Sequence, residues 1–350
     1  MDLPVAVPLE PMLAKAIPEV PEAGPKGAAL SYEPKWDGFR GILYFDGTDV
    51  EIGSRGSKTL TRYFPELVDT VREQLSEPCV LDGEVIVRTG RPGAERLSWE
   101  ALSQRIHPAE SRIRKLAVET PASFVAFDAL ASQGRSLLDA PFRERRAELE
   151  RLLSDVRPPI HLTRTTDDPG TARRWLTEFE GAGLDGVIAK PLDAPYSPGK
   201  RTMLKIKHER TADTVVTGYR IHKSGAGVGS LLIGLYDDSG SLRNVGGIAA
   251  FSDARRLELI DQLEPLVKRD AEGNRITGEG ERNRFSSNKD TSFVVLEPEL
   301  VVEVRYDQME GDRFRHTAQF VRWRPDREPR SCTFAQLEVP VSYDLEQVIR

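Results

Sequence analysis

Apolar and polar residues alternate in short runs from Tyr32 onward. Residues 41–45 and 50–52 flank an Asp46-Gly47 pair, and a two-residue turn signal between alternating runs predicts a β-hairpin. Further strands are expected over 79–87 and 124–129. Between and after them, residues 65–75, 142–156 and 171–179 space their apolar positions at three and four, the period of amphipathic helices. Strands interleaved with helices predict an α+β domain. The first thirty residues hold many of the prolines and read as an irregular arm that wraps a domain.

The character changes near 209–213. Strands are expected at 214–221, 230–236 and 242–248 as a meander, then a helix over 253–267, then strands at 300–306 and 314–322. About five strands with one helix suit a small β-barrel: an OB-fold is the commonest of that inventory that faces nucleic acid, and an SH3-like barrel has the same count. Residues 268–292 read as a long polar connection within it. The expected domains are 1–208 and 209–350, with no internal repeat.

The 350 residues are 39% hydrophobic and 30% charged, enough apolar material for one or two cores, which excludes a disordered tail protein. Forty-nine Lys and Arg stand against 55 Asp and Glu, a net charge of -6, so any polyanion site must come from local patches. Cys79 and Cys332 are the two cysteines, and neither they nor the five histidines fall in CxxC or HxxxH spacing. A zinc module and a disulfide framework are therefore excluded. The N-terminus lacks a basic start followed by an apolar run, and no stretch approaches eighteen uninterrupted apolar residues. The expectation is a soluble cytoplasmic protein with no membrane partner.

The candidate chemistry begins at Glu33-Pro-Lys35-Trp-Asp37-Gly38-Phe-Arg40, where Pro34 keeps Glu33 extended and Gly38 allows a turn, presenting Lys35. Taken alone, Lys-x-Asp-Gly describes a solvated lysine beside a turn. Four later segments change that reading: Leu81-Asp82-Gly83-Glu84, Phe124-Val-Ala-Phe127-Asp128, Asp185-Gly186-Val-Ile-Ala-Lys190 and Leu204-Lys205-Ile-Lys207 each set charged residues against short apolar strands. A core strand has little use for carboxylates and ammoniums unless they converge on a polyphosphate and its metal.

With Ser54-Arg55-Gly56 and the late Arg322-Trp-Arg324-Pro-Asp326-Arg327, this series resembles the covalent nucleotidyltransferase superfamily, and within it the ATP-dependent DNA ligases. The short chain and the segment Tyr196-Ser-Pro-Gly-Lys200-Arg-Thr-Met-Leu-Lys205-Ile-Lys207 are most similar to the compact stand-alone C type of mycobacteria and their relatives. The resemblance implies a nucleotidyltransferase domain of antiparallel sheets with helices, followed by an OB-fold barrel. It also implies ATP as the adenylate donor, with Mg2+ or Mn2+.

The resemblance also implies a role for each motif residue. Lys35 attacks the α-phosphorus of ATP, and the catalytic set is Lys35, Asp37, Lys205, Lys207, Arg324 and Asp326. A lysine is nucleophilic only when neutral, and neighbouring Lys205, Lys207 and a divalent ion disfavour its ammonium form. Glu84 bonds the ribose, Phe127 stacks on adenine, Glu33 lies at the adenine edge, and Arg40 and Arg55 hold ribose or phosphate. Asp185 stands where the family has glutamate; it and Glu84 are the candidate metal ligands. Lys190, Lys205 and Lys207 neutralise phosphate charge. Arg324, Asp326 and Arg327 orient the β and γ phosphates, with arginine at 327 where the family has lysine. Because the last group lies on a separate barrel, the barrel must move to reach ATP, with 208–213 as the candidate hinge.

The same resemblance implies nicked duplex DNA as substrate, contacted by Arg201, Lys205, Lys207, His208 and Arg210 with the tract 313–330, which carries six arginines against Asp326 and Glu328. A monomer on the bacterial nucleoid, working in DNA repair or recombination with repair proteins as partners, is the expected setting. No separate DNA-binding domain is expected before the nucleotidyltransferase motifs. The alternatives are an RNA ligase, a GTP-using capping enzyme, or an inactive OB-fold nucleic-acid binder; intact Lys35, Glu84 and Lys205 argue against the last. An NAD-dependent ligase is disfavoured, since that family carries a four-cysteine zinc module.

Overall fold

The computed structural model describes residues 1–56, 58–280 and 290–349. The chain forms two compact units. The first holds Met1–Lys207 together with the chain from Pro340 onward, and the second holds His208–Val339.

In the first unit the expected hairpin forms: Phe39–Phe45 pairs antiparallel with Val50–Ser54, and the Asp46 carboxylate accepts the N–H groups of Thr48 and Asp49 in the turn. Phe39–Phe45 pairs on its other side with Cys79–Thr89, which pairs in turn with Ala122–Ser132. One face of this sheet, with Leu43, Phe45, Leu81 and Val85, packs on Leu67 and Val71 of the Pro65–Gln74 helix and Leu149 of the Phe142–Leu152 helix. The other face is also covered, so Ala122–Ser132 is buried along its whole length and is largely apolar, its one charge, Asp128, being paired with the buried Arg145 at 2.7 Å.

The cover on that second face is a four-stranded sheet in the order Leu13–Ala16, Arg201–Ile206, Val187–Pro191, Leu30–Pro34. Ile42, Tyr44 and Val80 of the large sheet meet Met203, Met12 and Ile188. The opposite side of the small sheet, Leu30, Tyr32, Val187, Ala189 and Ile206, packs on Trp175 and Phe179. The arm expected to be irregular thus contributes a strand: Leu13–Ala16 runs parallel to Arg201–Ile206, a pairing across most of the chain that leaves no local signal. The Trp99–Gln104 and Glu110–Glu119 helices were likewise not expected.

The second unit is a barrel. Arg210–Ile221, Val228–Tyr236 and Leu242–Ile248 form the expected meander. Val301–Tyr306 pairs with the first half of Arg210–Ile221 and Ser292–Val295 with the second half. Parallel bridges Ile248–Ala318 and Tyr236–Thr333 join the ends of the meander to the last segment. The helix expected over 253–267 spans Asp253–Leu263, capped by Ser252, and relaxes into a tighter turn where Pro265 cannot donate to the helical ladder.

Three expectations are corrected. The single strand over 314–322 is two, Arg313–Phe314 and Gln319–Trp323, with Ala318 between them bonded to Gly247. The candidate hinge 208–213 is mostly barrel, since Arg210 to Asp213 pair in register with Tyr306 to Glu303. Residues 340–349, assigned by sequence to the barrel, pack in the first unit: Leu345 N–H donates to Glu95 O at 2.9 Å, and Arg164 Nε donates to Val348 O at 2.7 Å. Part of the polar connection expected over 268–292, namely 281–289, lies outside the described residues; Thr277–Glu279 and Ser292–Val295 flank it as paired strands.

Burial of the tail makes its contribution to stability measurable. Leu345 is fully buried beside Trp175, whereas Val341 is 86% exposed. Leu345→Ala should therefore cost the first unit about 2–4 kcal/mol, read by denaturant unfolding with tryptophan fluorescence, and Val341→Ala should change it little. His161 is buried, and burial followed by the charge of Arg88 pushes it down to about 4 from its ordinary 6.5. With the folded value below the unfolded one, the unfolded chain takes up the proton first. Stability is then full above pH 6.5 and lost as the pH falls toward about 4, by at most about 3 kcal/mol. His161→Phe should flatten that slope; an unchanged slope would count against a neutral buried imidazole.

Candidate active site

The alternation of the two facing sheets builds the site. On the small sheet, Glu33 and Lys35, Lys190, and Lys205 and Lys207 share one side of their strands, with Glu33 opposite Ile188 and Ile188 opposite Lys205. On the large sheet, Arg40 pairs with Glu84 and Glu84 with Val125, which puts Arg40, Asp82, Glu84 and Phe127 on the side facing them.

Lys35 lies just past the Leu30–Pro34 strand, where two main-chain hydrogen bonds clamp it: its N–H donates to Gly186 O at 2.9 Å, and Asp185 N–H donates to Lys35 O at 3.0 Å. Gly186 has φ +120°, and a Cβ there would stand 2.0 Å from Ile206 O, so no other residue fits the turn after Asp185. Gly38 is required in the same way, its Cβ position lying 2.2 Å from Val85 O. Trp36 anchors the segment by donating its indole N–H to Thr163 Oγ1 at 2.8 Å.

The clamp sets Lys35 Nζ 2.6 Å from Asp185 Oδ2, and Lys207 Nζ reaches the same oxygen at 2.7 Å. The Asp185 side chain is only 5% exposed, and one of its oxygens is shared by both amines. Lys205 is the third amine, held below its ordinary value by burial first and then by the charges of Lys207 and Lys35.

Across the pocket, Glu84 accepts the N–H of Gly38 at 3.2 Å. Burial raises its carboxyl to about 7 even though Arg40 and Lys35 draw it down. Arg40 lies 4.5 Å from the Phe127 ring centroid and forks onto Asp82, with Nε to Oδ1 at 2.5 Å and Nη2 to Oδ2 at 2.6 Å. Tyr196 donates its hydroxyl to Asp82 Oδ2 at 2.6 Å, completing a buried network. Sequence reasoning gave Asp82 no role of its own and missed Tyr196. The alternation that set Glu84 inward also set Asp82 inward, whereas Tyr196 sits in a loop with no periodic signal.

Lys190, expected among the phosphate lysines, is buried deeper, with Nζ 2.8 Å from Glu33 Oε1, 3.0 Å from Phe127 O and 4.8 Å from the Phe127 ring centroid. Burial raises the Glu33 carboxyl against the pull of Lys190, and Glu33 Oε2 is buried with no hydrogen-bond partner. Asp37 is half-buried on the turn after Lys35. Arg55 is exposed beyond the Val50–Ser54 strand and, among the described residues, adds no hydrogen bond or ion pair to this group.

In the barrel unit, Arg324 forks onto Asp326 and also pairs with Asp213 at 3.1 Å; the Asp326 carboxyl is drawn down to about 2 by its hydrogen bonds from Arg324. Arg210, expected at a DNA groove, is committed within the barrel to Glu338 at 2.8 Å and Asp307 O at 3.1 Å. An open groove of about 1310 Å³ on the barrel is lined by Arg220, Arg243, Arg313, Arg315 and His316 together with acidic residues such as Asp237.

A pocket between two sheets that gathers Lys35, Lys205 and Lys207 around Asp185, in a chain that also carries a barrel unit, fits a covalent nucleotidyltransferase, and comparison with known proteins gives its family. The model of the ATP dependent DNA ligase domain matches residues 11–207, and that of the ATP dependent DNA ligase C terminal region matches 224–327. The chain belongs to the ATP-dependent DNA ligases, its first unit the nucleotidyltransferase domain and its second the OB-fold. DNA ligase C1 of Mycolicibacterium smegmatis is 56% identical over 354 residues, covering 100% of this chain and 99% of the relative. DNA ligase C of Mycobacterium tuberculosis is 53% identical over 364 residues, again covering 100% and 99%. Over its whole length the chain is thus similar to the mycobacterial DNA ligases C1 and C. A solved chain from a structure-function study of Lig E DNA ligases, 17% identical with a TM-score of 0.56, covers 90% of this chain and 99% of its own length and shares the fold.

Asp82→Ala would leave the Arg40 guanidinium over Phe127 without its buried partner. It should lower stability by about 3–5 kcal/mol in thermal or denaturant unfolding, with Tyr196→Phe costing much less.

Proposed function

We propose that Lys35 carries the adenylate in a three-step sealing of 3'-hydroxyl/5'-phosphate nicks in DNA. The observation that supports this most is the shared carboxylate, with Lys35 and Lys207 both on Asp185 Oδ2 at 2.6 and 2.7 Å. Lys35 Nζ gives up a proton, for which Asp185 Oδ2 is the adjacent acceptor, and bonds to the α-phosphorus of ATP as the bond to the pyrophosphate oxygen breaks. The adenylate passes from Lys35 to the 5'-phosphate of the nick. The 3'-hydroxyl then attacks that phosphate, and AMP leaves. Lys205 and Lys207 meet the phosphate charge that builds in each step.

The partnerless Glu33 Oε2 suits the amino group of adenine, and Lys190 Nζ beside it suits an acceptor on the same edge. Guanine presents an acceptor where adenine presents that amino group, so the pair favours ATP over GTP. Phe127 offers a ring face to the base, and Glu84 an acceptor to the ribose.

Asp185 and Glu84 supply the hard oxygen donors that Mg2+ or Mn2+ takes. Among the described residues no three Asp, Glu, His or Cys gather, which fits an ion completed by phosphate oxygens and water. Such an ion would neutralise charge on the triphosphate. On the barrel, Arg324, Asp326 and Arg327 act on the β and γ phosphates, and the arginine-lined groove takes the phosphate backbone of nicked duplex DNA. The reading extends to DNA repair by a monomer on the bacterial nucleoid, alongside repair proteins. Among the described residues no helix is long and apolar enough to cross a membrane.

The test is parallel labelling with α-labelled ATP and GTP, followed by nicked DNA and nicked RNA. Label should come from ATP alone and DNA nicks should be sealed. Lys35→Ala should lose labelling entirely yet stay folded, with a melting temperature lowered only modestly because Lys207 still pairs with the buried Asp185 carboxylate. Alkali-stable labelling of the Lys35→Ala protein would mean that another residue is the nucleophile.

A further inference from the structure

Two acids stand side by side on the barrel for no structural gain of their own. Asp213 on Arg210–Ile221 is the cross-strand partner of Glu303 on Val301–Tyr306, and like charges directly opposite one another destabilise a sheet. Arg324 resolves the conflict. Its Nη1 donates to both Asp213 oxygens, at 3.1 and 3.2 Å, and lies 3.8 Å from Glu303 Oε2. Glu303 is in turn bound by Arg322 Nε at 2.6 Å, and Arg327 Nε lies 3.5 Å from Asp213 Oδ2. Both arginines of the Arg324-Pro-Asp326-Arg327 motif therefore converge on Asp213.

The acids around Arg324 differ in how firmly they hold it. Asp326 is 65% exposed, and an exposed ion pair adds little, so a phosphate can displace it. Asp213 is 14% exposed, and its main chain is fixed on both sides by one side chain: Gln336 Oε1 accepts the Asp213 N–H at 2.8 Å and Gln336 Nε2 donates to Asp213 O at 3.0 Å. Asp213 holds one end of the guanidinium while the Asp326 end can exchange its carboxylate for phosphate.

We propose that Asp213 is a positioning residue for enzyme adenylation: it fixes the Arg324 guanidinium, and Arg327 beside it, in the orientation that receives the β and γ phosphates of ATP. This rests on the assignment of Arg324 to the polyphosphate given above. Since only the first step has a triphosphate, Asp213 matters to that step alone.

The experiment compares two single-step assays, formation of enzyme-AMP from ATP and sealing of a chemically pre-adenylated nick, for Asp213→Ala, Asp213→Asn, Arg324→Ala and the Asp213→Ala/Arg324→Ala double variant. Asp213→Ala should raise the KM for ATP and slow adenylation, with kcat/KM down about tenfold or more, and leave pre-adenylated sealing within about twofold of wild type. Asp213→Asn, which keeps an acceptor, should recover part of the loss and covers the case in which the alanine variant does not fold. The double variant should adenylate no more slowly than Arg324→Ala alone, because the two residues act as one unit. Faster adenylation by Asp213→Ala, or losses that multiply in the double variant, would overturn the proposal while leaving the role of Arg324 standing. Equal loss by Arg324→Ala in both assays would overturn the assignment of Arg324 itself, and this proposal with it.

Discussion

One buried carboxylate organises the nucleotidyltransferase unit. Asp185 is 5% exposed and accepts both Lys35 and Lys207 on one oxygen. A carboxylate so placed is tolerable only when cations compensate it, and two ammoniums this close are tolerable only with the carboxylate between them. The arrangement requires three chain segments to meet within tenths of an ångström. The backbone enforces that meeting through the two hydrogen bonds between Lys35 and the Asp185-Gly186 turn, and through a glycine that lets the turn pass Ile206. The cation excess left at the pocket mouth, with Lys205 added, is what a triphosphate would neutralise.

The facing sheet answers with charges that are satisfied among themselves. Arg40 and Asp82, with Tyr196 from a loop, form a closed network under Phe127, and on the small sheet itself Lys190 is tied to Glu33. These groups shape the pocket floor and hold the aromatic ring, whereas the exceptions mark where a ligand belongs: a partnerless oxygen on Glu33, and a Glu84 carboxyl lifted to about 7 by burial. Buried polar groups in folded proteins are rarely left unpaired, so an unpaired oxygen inside the pocket carries information.

Much of this was legible in the sequence, for a physical reason. Charged residues set against short apolar strands gave a reason to expect convergence, and the resemblance to the nucleotidyltransferases grouped Lys35, Glu84, Asp185, Lys205 and Lys207 before their distances were known. Depth was not legible: nothing in Ile-Ala-Lys190 shows that this lysine is buried against Glu33 and not exposed to phosphate. Pairings between distant segments were also hidden. Leu13–Ala16 gains its strand from Arg201–Ile206, the tail from Pro340 gains its place from Leu345 and Val348, and the row of Asp213 and Glu303 exists only once the register of the barrel is known. The single strand expected over 314–322 failed because apolar spacing does not reveal where Ala318 leaves the ladder to bond Gly247.

The central claim is the proposal that, of the three lysines gathered around Asp185, Lys35 is the one that takes the adenylate. Peptide mapping by mass spectrometry of the wild-type protein after incubation with ATP and magnesium tests it directly. The adenylate is predicted on the peptide containing Lys35 and on no other. An adenylate on Lys205 or Lys207 would contradict the account at its base.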